Sequence, residues 1–172
     1  MIDLDLFAKR DFTISNIVGF LMSFGMFGAV FFITQFIQDV LRVSPLTAGQ
    51  ETMPWTASIM LVAPLAGLLT RRMGIRLIIL IGMLAQAVAL AYIGLLATTT
   101  IPYIALLPAF ILGGLGMGFT FGPVSSVVMN AVSTMQQGQA SSISNTVREL
   151  GGVFGIALLG IVFGQITSNV KR

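Results

Sequence analysis

The chain has no cysteine and no histidine. Composition alone therefore excludes disulfides, thiol nucleophiles, imidazole bases and the usual zinc sites, and redox compartment cannot be read from it. Charge is scarce as well: 9% of the 172 residues are Asp, Glu, Lys or Arg, against 56% hydrophobic, and the mean hydropathy is +0.97. A soluble domain keeps its surface in water with about 25% charged residues. This chain lacks them and reads as an integral membrane protein. With no His, no Cys and no buried carboxylate pair, there is no acid–base team for an enzyme, and the sequence implies no cofactor and no metal. The net charge of +3 and a pI near 10 would suit nucleic acid. The nine cations are scattered among helix ends, however, and make no basic stripe, so nucleic acid is not a partner. A channel is unsupported too, for want of a ring of charges or a filter-like loop.

What the chain does have is long apolar runs. A short charged lead (Asp3, Asp5, Lys9, Arg10, Asp11) precedes a run over 13–38, which as a helix would extend about 39 Å, enough to cross a hydrocarbon core of about 30 Å with tilt. The lead is acid-rich and the run far exceeds the roughly 7–15 residues of a signal-peptide core, so a spanning helix is expected. Further spans are expected over 46–70 (with Pro54 and Pro64), 77–97, 101–132 and 142–166. Thr98-Thr99-Thr100-Ile101-Pro102 reads as a tight turn and Gln136-Gln137-Gly138-Gln139 as a polar link. The fold class is all-α: a polytopic membrane helix bundle of about five transmembrane helices, taken as one membrane domain over 1–172.

Glycine is placed, not scattered. The run Gly114-Leu115-Gly116-Met117-Gly118-Phe119-Thr120-Phe121-Gly122-Pro123 lies inside an apolar span, where small residues permit close helix packing and proline weakens the backbone. A nucleotide-binding loop would follow a strand with full G-x-G-x-x-G spacing, which is missing. Gly114, Gly118 and Gly122 in the fourth span, and Gly151/Gly155 and Gly160/Gly164 in the fifth, recur every four residues and so line a helical face. The third span, with Gly82, Ala85, Ala89 and a single Gln86 among long aliphatic side chains, looks peripheral and lipid-facing.

Basic residues set the orientation. Lys9, Arg10, Arg71, Arg72, Arg76 and Arg148 fall on one side, and Arg42, Lys171 and Arg172 on the other. The majority side is expected to be cytoplasmic, with the N-terminus there and the C-terminus outside.

The order of features resembles the C-terminal half of the major facilitator superfamily, within it the EmrB/QacA-type multidrug:proton antiporters. The resemblance rests on Phe7 to Phe12 before the first span, then Gln38, Ser44-Pro45-Leu46-Thr47-Ala48-Gly49 and Pro54. It extends through the loop Gly67-Leu68-Leu69-Thr70-Arg71-Arg72-Met73-Gly74-Ile75-Arg76. Gly138-Gln139-Ala140-Ser141, Asn145-Thr146, Arg148-Glu149-Leu150-Gly151-Gly152 and Gly155-Ile156-Ala157 complete it. The acidic position of the family's loop is Arg71 here, and the resemblance ends one helix short of six. The resemblance implies part of a proton-coupled antiporter in a bacterial cytoplasmic membrane, exporting drugs or lipophilic cations and inactive alone. Its partners would be the lipid bilayer, the N-terminal half of a transporter, a missing sixth helix, protons and a small-molecule substrate. The alternative is a small membrane subunit or regulator that assembles with another transporter.

Substrate contacts are expected from Gln35, Phe31, Met22, Phe119 and Asn145. An amide at Gln35 or Gln38 facing lipid would be costly, so both should face protein, as cavity lining or as interhelical hydrogen bonds, with Gln38 near the headgroups. Phe20, Phe24, Phe27, Phe31, Met22 and Met26 suit a pocket for varied lipophilic cations, and equally suit lipid or a neighbouring helix. Gly67, Arg71, Arg72, Gly74 and Arg76 form the loop motif, for gating or for headgroup anchoring. Gly114, Gly118, Gly122, Pro123, Gly151 and Gly155 are the helix-packing set. No carboxylate stands at mid-membrane depth, and Glu51, near the outer end of the second span, is the one acid that suits a pathway position, with a location at headgroup level as the favoured alternative.

Overall fold

A computed structural model describes the backbone over residues 4–39, 44–96 and 103–170. Every element in it is helical: a 3₁₀ turn at Leu4–Ala8, α1 (Arg10–Asp39), α2 (Pro45–Glu51), α3 (Met53–Met73), α4 (Ile75–Leu96), α5 (Tyr103–Asn130), a 3₁₀ turn at Thr134–Gln136 and α6 (Gln137–Val170). Among the described residues four stretches are long and apolar enough to cross a membrane: Arg10–Phe31, Gly49–Met73, Ile75–Leu95 and Tyr103–Asn130. The chain is an all-α polytopic membrane helix bundle. The fifth expected span lies within α6, whose side chains beyond Ile161 fall outside the described residues. The turn expected over 98–102 also falls outside them.

The stretch expected as one span over 46–70 carries a break at Thr52, where α2 gives way to α3. Pro54 explains it. Proline has no N–H to donate and its ring clashes with the carbonyl four residues back, so it is tolerated best in a first turn, and α3 begins with Pro54 in that position. The Thr52 hydroxyl donates to the Gly49 carbonyl at 2.9 Å, meeting one of the carbonyls that the break frees. At the other end of α3, Gly74 takes φ 83° and its N–H returns to the Thr70 carbonyl at 3.1 Å. That left-handed backbone suits glycine, and it lets α4 start at once.

The helices divide into two compact units, one of Met1–Phe32 with Val127–Arg172 and one of Ile33–Ser126. In the first, Leu6, Phe12, Val128, Val132, Ala140 and Ile143 form a buried apolar cluster with Ala131 and Val147 packed against it. In the second, Trp55, Val62 and Ala66 of α3, Ile78 and Ala89 of α4, and Leu106, Ala109, Phe110 and Val124 of α5 are buried. Because lipid tails are as apolar as leucine, helices in a bilayer gain from close van der Waals fit and interhelical hydrogen bonds rather than from leaving water. Small residues and a few buried polar side chains therefore position everything else.

Candidate functional site

Three seams organise the described side chains, two in the second unit and one in the first. In the second unit, α4 and α5 meet backbone to backbone at Gly82 and Gly116. A Cβ on Gly82 would come within 2.7 Å of the Gly116 carbonyl oxygen, and one on Gly116 within 2.6 Å of the Gly82 carbonyl oxygen. Beside this contact Gln86 Nε2 donates to Thr120 Oγ1 at 3.3 Å, and the Thr120 hydroxyl donates to the Gly116 carbonyl at 2.8 Å. Both side chains are buried. The expectation that α4 is peripheral needs correcting on this face: Ile78, Gly82, Gln86 and Ala89 recur every three or four residues and turn inward, while Leu77, Leu80, Leu84 and Val88 remain exposed. The spacing Gly82, Ala85, Gln86, Ala89 carried that signal.

Another face of α5 lies on α3. A Cβ on Gly114 would strike the Trp55 carbonyl oxygen and come within 2.8 Å of Ser58 Cβ, and one on Gly118 would approach Val62 at 3.2 Å. Gly122, although it follows the same four-residue spacing, has nothing within 4 Å of that position, and Pro123 is buried. Trp55 and Tyr103 each lie 6.3 Å from the Phe110 ring, and the Tyr103 hydroxyl donates to the Glu51 carbonyl at 2.8 Å. Phe119 is half-buried, its Cβ 3.1 Å from the Cβ position of Gly82.

The first unit has its own seam between α1 and α6. Gly151 and Gly155 are buried where a Cβ would meet the backbone carbonyls of Phe20 and Phe24, and a Cβ on Gly28 would lie 3.2 Å from the Gly155 carbonyl oxygen. Ser144 Oγ donates to Asn16 Oδ1 at 2.9 Å, and Asn16 Nδ2 donates to the Phe12 carbonyl at 2.8 Å, so a buried amide is satisfied on both sides. Asn16 was not singled out from sequence. Its signal is an amide within the first turns of the first apolar run, which on burial must find a partner. Arg148 is half-buried, its Nη2 donates to Asn145 Oδ1 at 2.6 Å, and its Cγ lies 3.3 Å from the Cβ position of Gly19.

The substrate-contact candidates thus occupy different settings. Met22 is buried, Phe31 is exposed, and Asn145 is exposed and engaged with Arg148. Gln35 and Gln38 belong to α1, and their side chains lie outside the described residues. In the loop motif Gly67, Arg71, Arg72 and Arg76 are all exposed around the Gly74 turn. Among the described residues no group of three or more His, Cys, Asp or Glu could hold a metal ion.

Several apolar helices of membrane-spanning length, packed through glycines and with buried polar side chains at the seams, define a polytopic membrane protein. The chain belongs to the Major Facilitator Superfamily, whose family model matches residues 4–156. It is 33% identical over 165 residues to the multidrug transporter protein MdtP of Bacillus subtilis, covering 96% of this chain and 30% of that protein. It is 33% identical over 163 residues to the multidrug efflux pump LfrA of Mycolicibacterium smegmatis, covering 95% of this chain and 32% of that one. It is also 29% identical over 171 residues to the riboflavin transporter RibZ of Clostridioides difficile, covering 99% of this chain and 37% of that one. The chain therefore spans about a third of the length of these relatives.

Proposed function

We propose that this chain is part of a proton-coupled antiporter that exports drugs or other lipophilic or cationic small molecules across the cytoplasmic membrane, and that it does not transport alone. The observation that carries the reading is its similarity along 96% of its length to a protein named as a multidrug transporter. The share of that relative covered, 30%, supports the second clause. Alternating access rocks one helix bundle against another around a site near the midplane, so the helices here would form one membrane domain within a larger pair of bundles. The N-terminal half and a further helix would come from elsewhere, along with the proton-binding carboxylates.

Within that reading Gln35, Met22, Phe31, Phe119 and Asn145 contribute to the substrate path, and the glycine seams are the rigid surfaces on which α1, α3, α4, α5 and α6 stay packed while the bundle moves. The N-terminus lies in the cytoplasm, by the six-to-three division of basic residues. The test is accumulation of a lipophilic cation dye in cells. Expression of this chain alone should leave dye levels unchanged, and joining it to the remainder of an exporter such as MdtP should lower them in an uncoupler-sensitive way. A joined, membrane-inserted protein without efflux would overturn the proposal.

A further inference from the structure

Contacts with α1 fix the level of α6 in the first unit. Ser144 Oγ donates to Asn16 Oδ1, and Arg148 Cγ lies 3.3 Å from the Cβ position of Gly19. Asn16 and Gly19 stand six and nine residues beyond Arg10, where the membrane-spanning stretch Arg10–Phe31 begins, which is about 9 and 14 Å along a helix. Asn145 and Arg148 therefore lie inside the hydrocarbon rather than among headgroups. The exposed face of α6 at this level is polar: Ser142, Asn145, Thr146 and Glu149 follow the spacing of one side of a helix. Ser142 and Thr146 turn back on their own helix, donating to the Gly138 and Ser142 carbonyls, each at 3.0 Å. Asn145 does not. Arg148 Nη2 donates to its Oδ1 at 2.6 Å, and among the described residues nothing accepts from its Nδ2. A guanidinium has donors only, so it decides which end of the carboxamide faces it, and both side-chain N–H groups of Asn145 are left for an acceptor from outside the helix. Polar side chains at such depth face a bundle interior or a water-filled cavity, since lipid cannot satisfy them.

We infer that Asn145 is a specificity-determining donor on the export path, selecting substrates that carry a hydrogen-bond acceptor oxygen, and that Arg148 is a positioning residue that holds the amide in its donating orientation. The inference rests on the exporter reading and names the substrate feature that this face of α6 recognises. A carbonyl, phosphoryl or ether oxygen accepts from Asn145 Nδ2, whereas a lipophilic cation without an oxygen has nothing to accept with. Arg148 and Glu149 offset each other in charge, so the face exerts no net pull on a cation. The bond from Arg148 is charge-assisted and about twice as strong as one between neutral groups, which keeps the amide from flipping.

The test uses the chain joined to the remainder of an exporter such as MdtP, in liposomes, with efflux of a lipophilic cation dye as the readout. Two neutral competitors of similar shape are compared: triphenylphosphine oxide, which carries an acceptor oxygen, and triphenylmethane, which carries none. The quantity read is the ratio of their half-inhibitory concentrations. N145A should shift that ratio about fivefold against the oxide, the worth of one hydrogen bond. N145D should shift it further, because a carboxylate oxygen repels the acceptor. R148M should move the ratio in the same direction, and R148K, which still donates to Oδ1, should restore it. A merely structural role for Arg148 would lower stability and weaken both competitors alike without moving the ratio, and thermal unfolding establishes that each variant is folded. An oxide that does not compete in wild type, or a ratio equal in wild type, N145A and N145D, overturns the inference. A wild-type ratio in R148M overturns the positioning of the amide. Absence of dye efflux from the wild-type joined protein overturns the exporter reading itself, and the missing baseline distinguishes that failure from the others.

Discussion

Gly114, Gly118 and Gly122 share one spacing in the sequence, yet they should respond in graded and finally opposite ways to the same substitution by alanine. At Gly114 the new methyl would meet the Trp55 backbone carbonyl, with Ser58 Cβ at 2.8 Å and the Trp55 carbonyl carbon at 3.2 Å. Backbone atoms cannot rotate aside, so α3 and α5 must separate. Forcing an extra carbon into a packed contact costs about 1–3 kcal/mol. At Gly118 the neighbours are Val62 Cβ and Cγ1 at 3.2 Å and the Ile59 carbonyl at 3.3 Å, and a shift of a few tenths of an ångström relieves them, so the loss should be under about 1 kcal/mol. At Gly122 nothing lies within 4 Å. There the intrinsic preference of a helix for alanine over glycine, up to about 1 kcal/mol, should dominate and stabilise slightly. Thermal or denaturant unfolding of the purified chain in one detergent measures all three. A loss at Gly122 as large as that at Gly114 would refute the argument, because it would mean that spacing alone, not the local contact, sets the cost.

The seam hydrogen bonds should be measurable in the same assay: a double-mutant cycle of Asn16→Ala and Ser144→Ala should return a coupling of roughly 0.6–1.7 kcal/mol, the range for such bonds in membranes, and no coupling would contradict their contact. Trp55 is the sole tryptophan and is buried, so its fluorescence should resist quenching by iodide, and Gly114→Leu, which displaces the Trp55 backbone, should expose it. In the joined exporter, Gln35→Ala should alter the range of substrates, while Gln86→Ala, which removes a partner of Thr120, should lower stability and leave that range unchanged. For orientation, a cysteine at Met135, which is almost fully exposed, should escape an impermeant maleimide in intact cells, and one at Ser168 should react; the opposite pattern would reverse the topology.

The class of the protein was legible from composition and run length because a bilayer imposes both directly. Charge scarcity and apolar stretches of membrane-spanning length leave few alternatives, and helices appear where those stretches lie. Finer structure depended on contacts that spacing does not specify. Gly114 and Gly122 look equivalent along the helix, and only the approach of α3 distinguishes them. The face of α4 that turns inward was marked by Gly82, Ala85, Gln86 and Ala89, but its aliphatic remainder dominated the reading of that helix as lipid-facing. The role of Asn16 was not legible because its partner Ser144 lies 128 residues away. The break at Thr52 was signalled by Pro54, which a run-length reading passes over.

The most direct test of the account is transport by purified protein in liposomes. The chain joined to the remainder of an exporter should move a lipophilic cation when a proton gradient is imposed, and stop when an uncoupler collapses it. The chain alone, folded and inserted in the same liposomes, should move none. Robust, uncoupler-sensitive transport by the chain alone would contradict the central claim and show that these helices assemble a complete pathway by themselves.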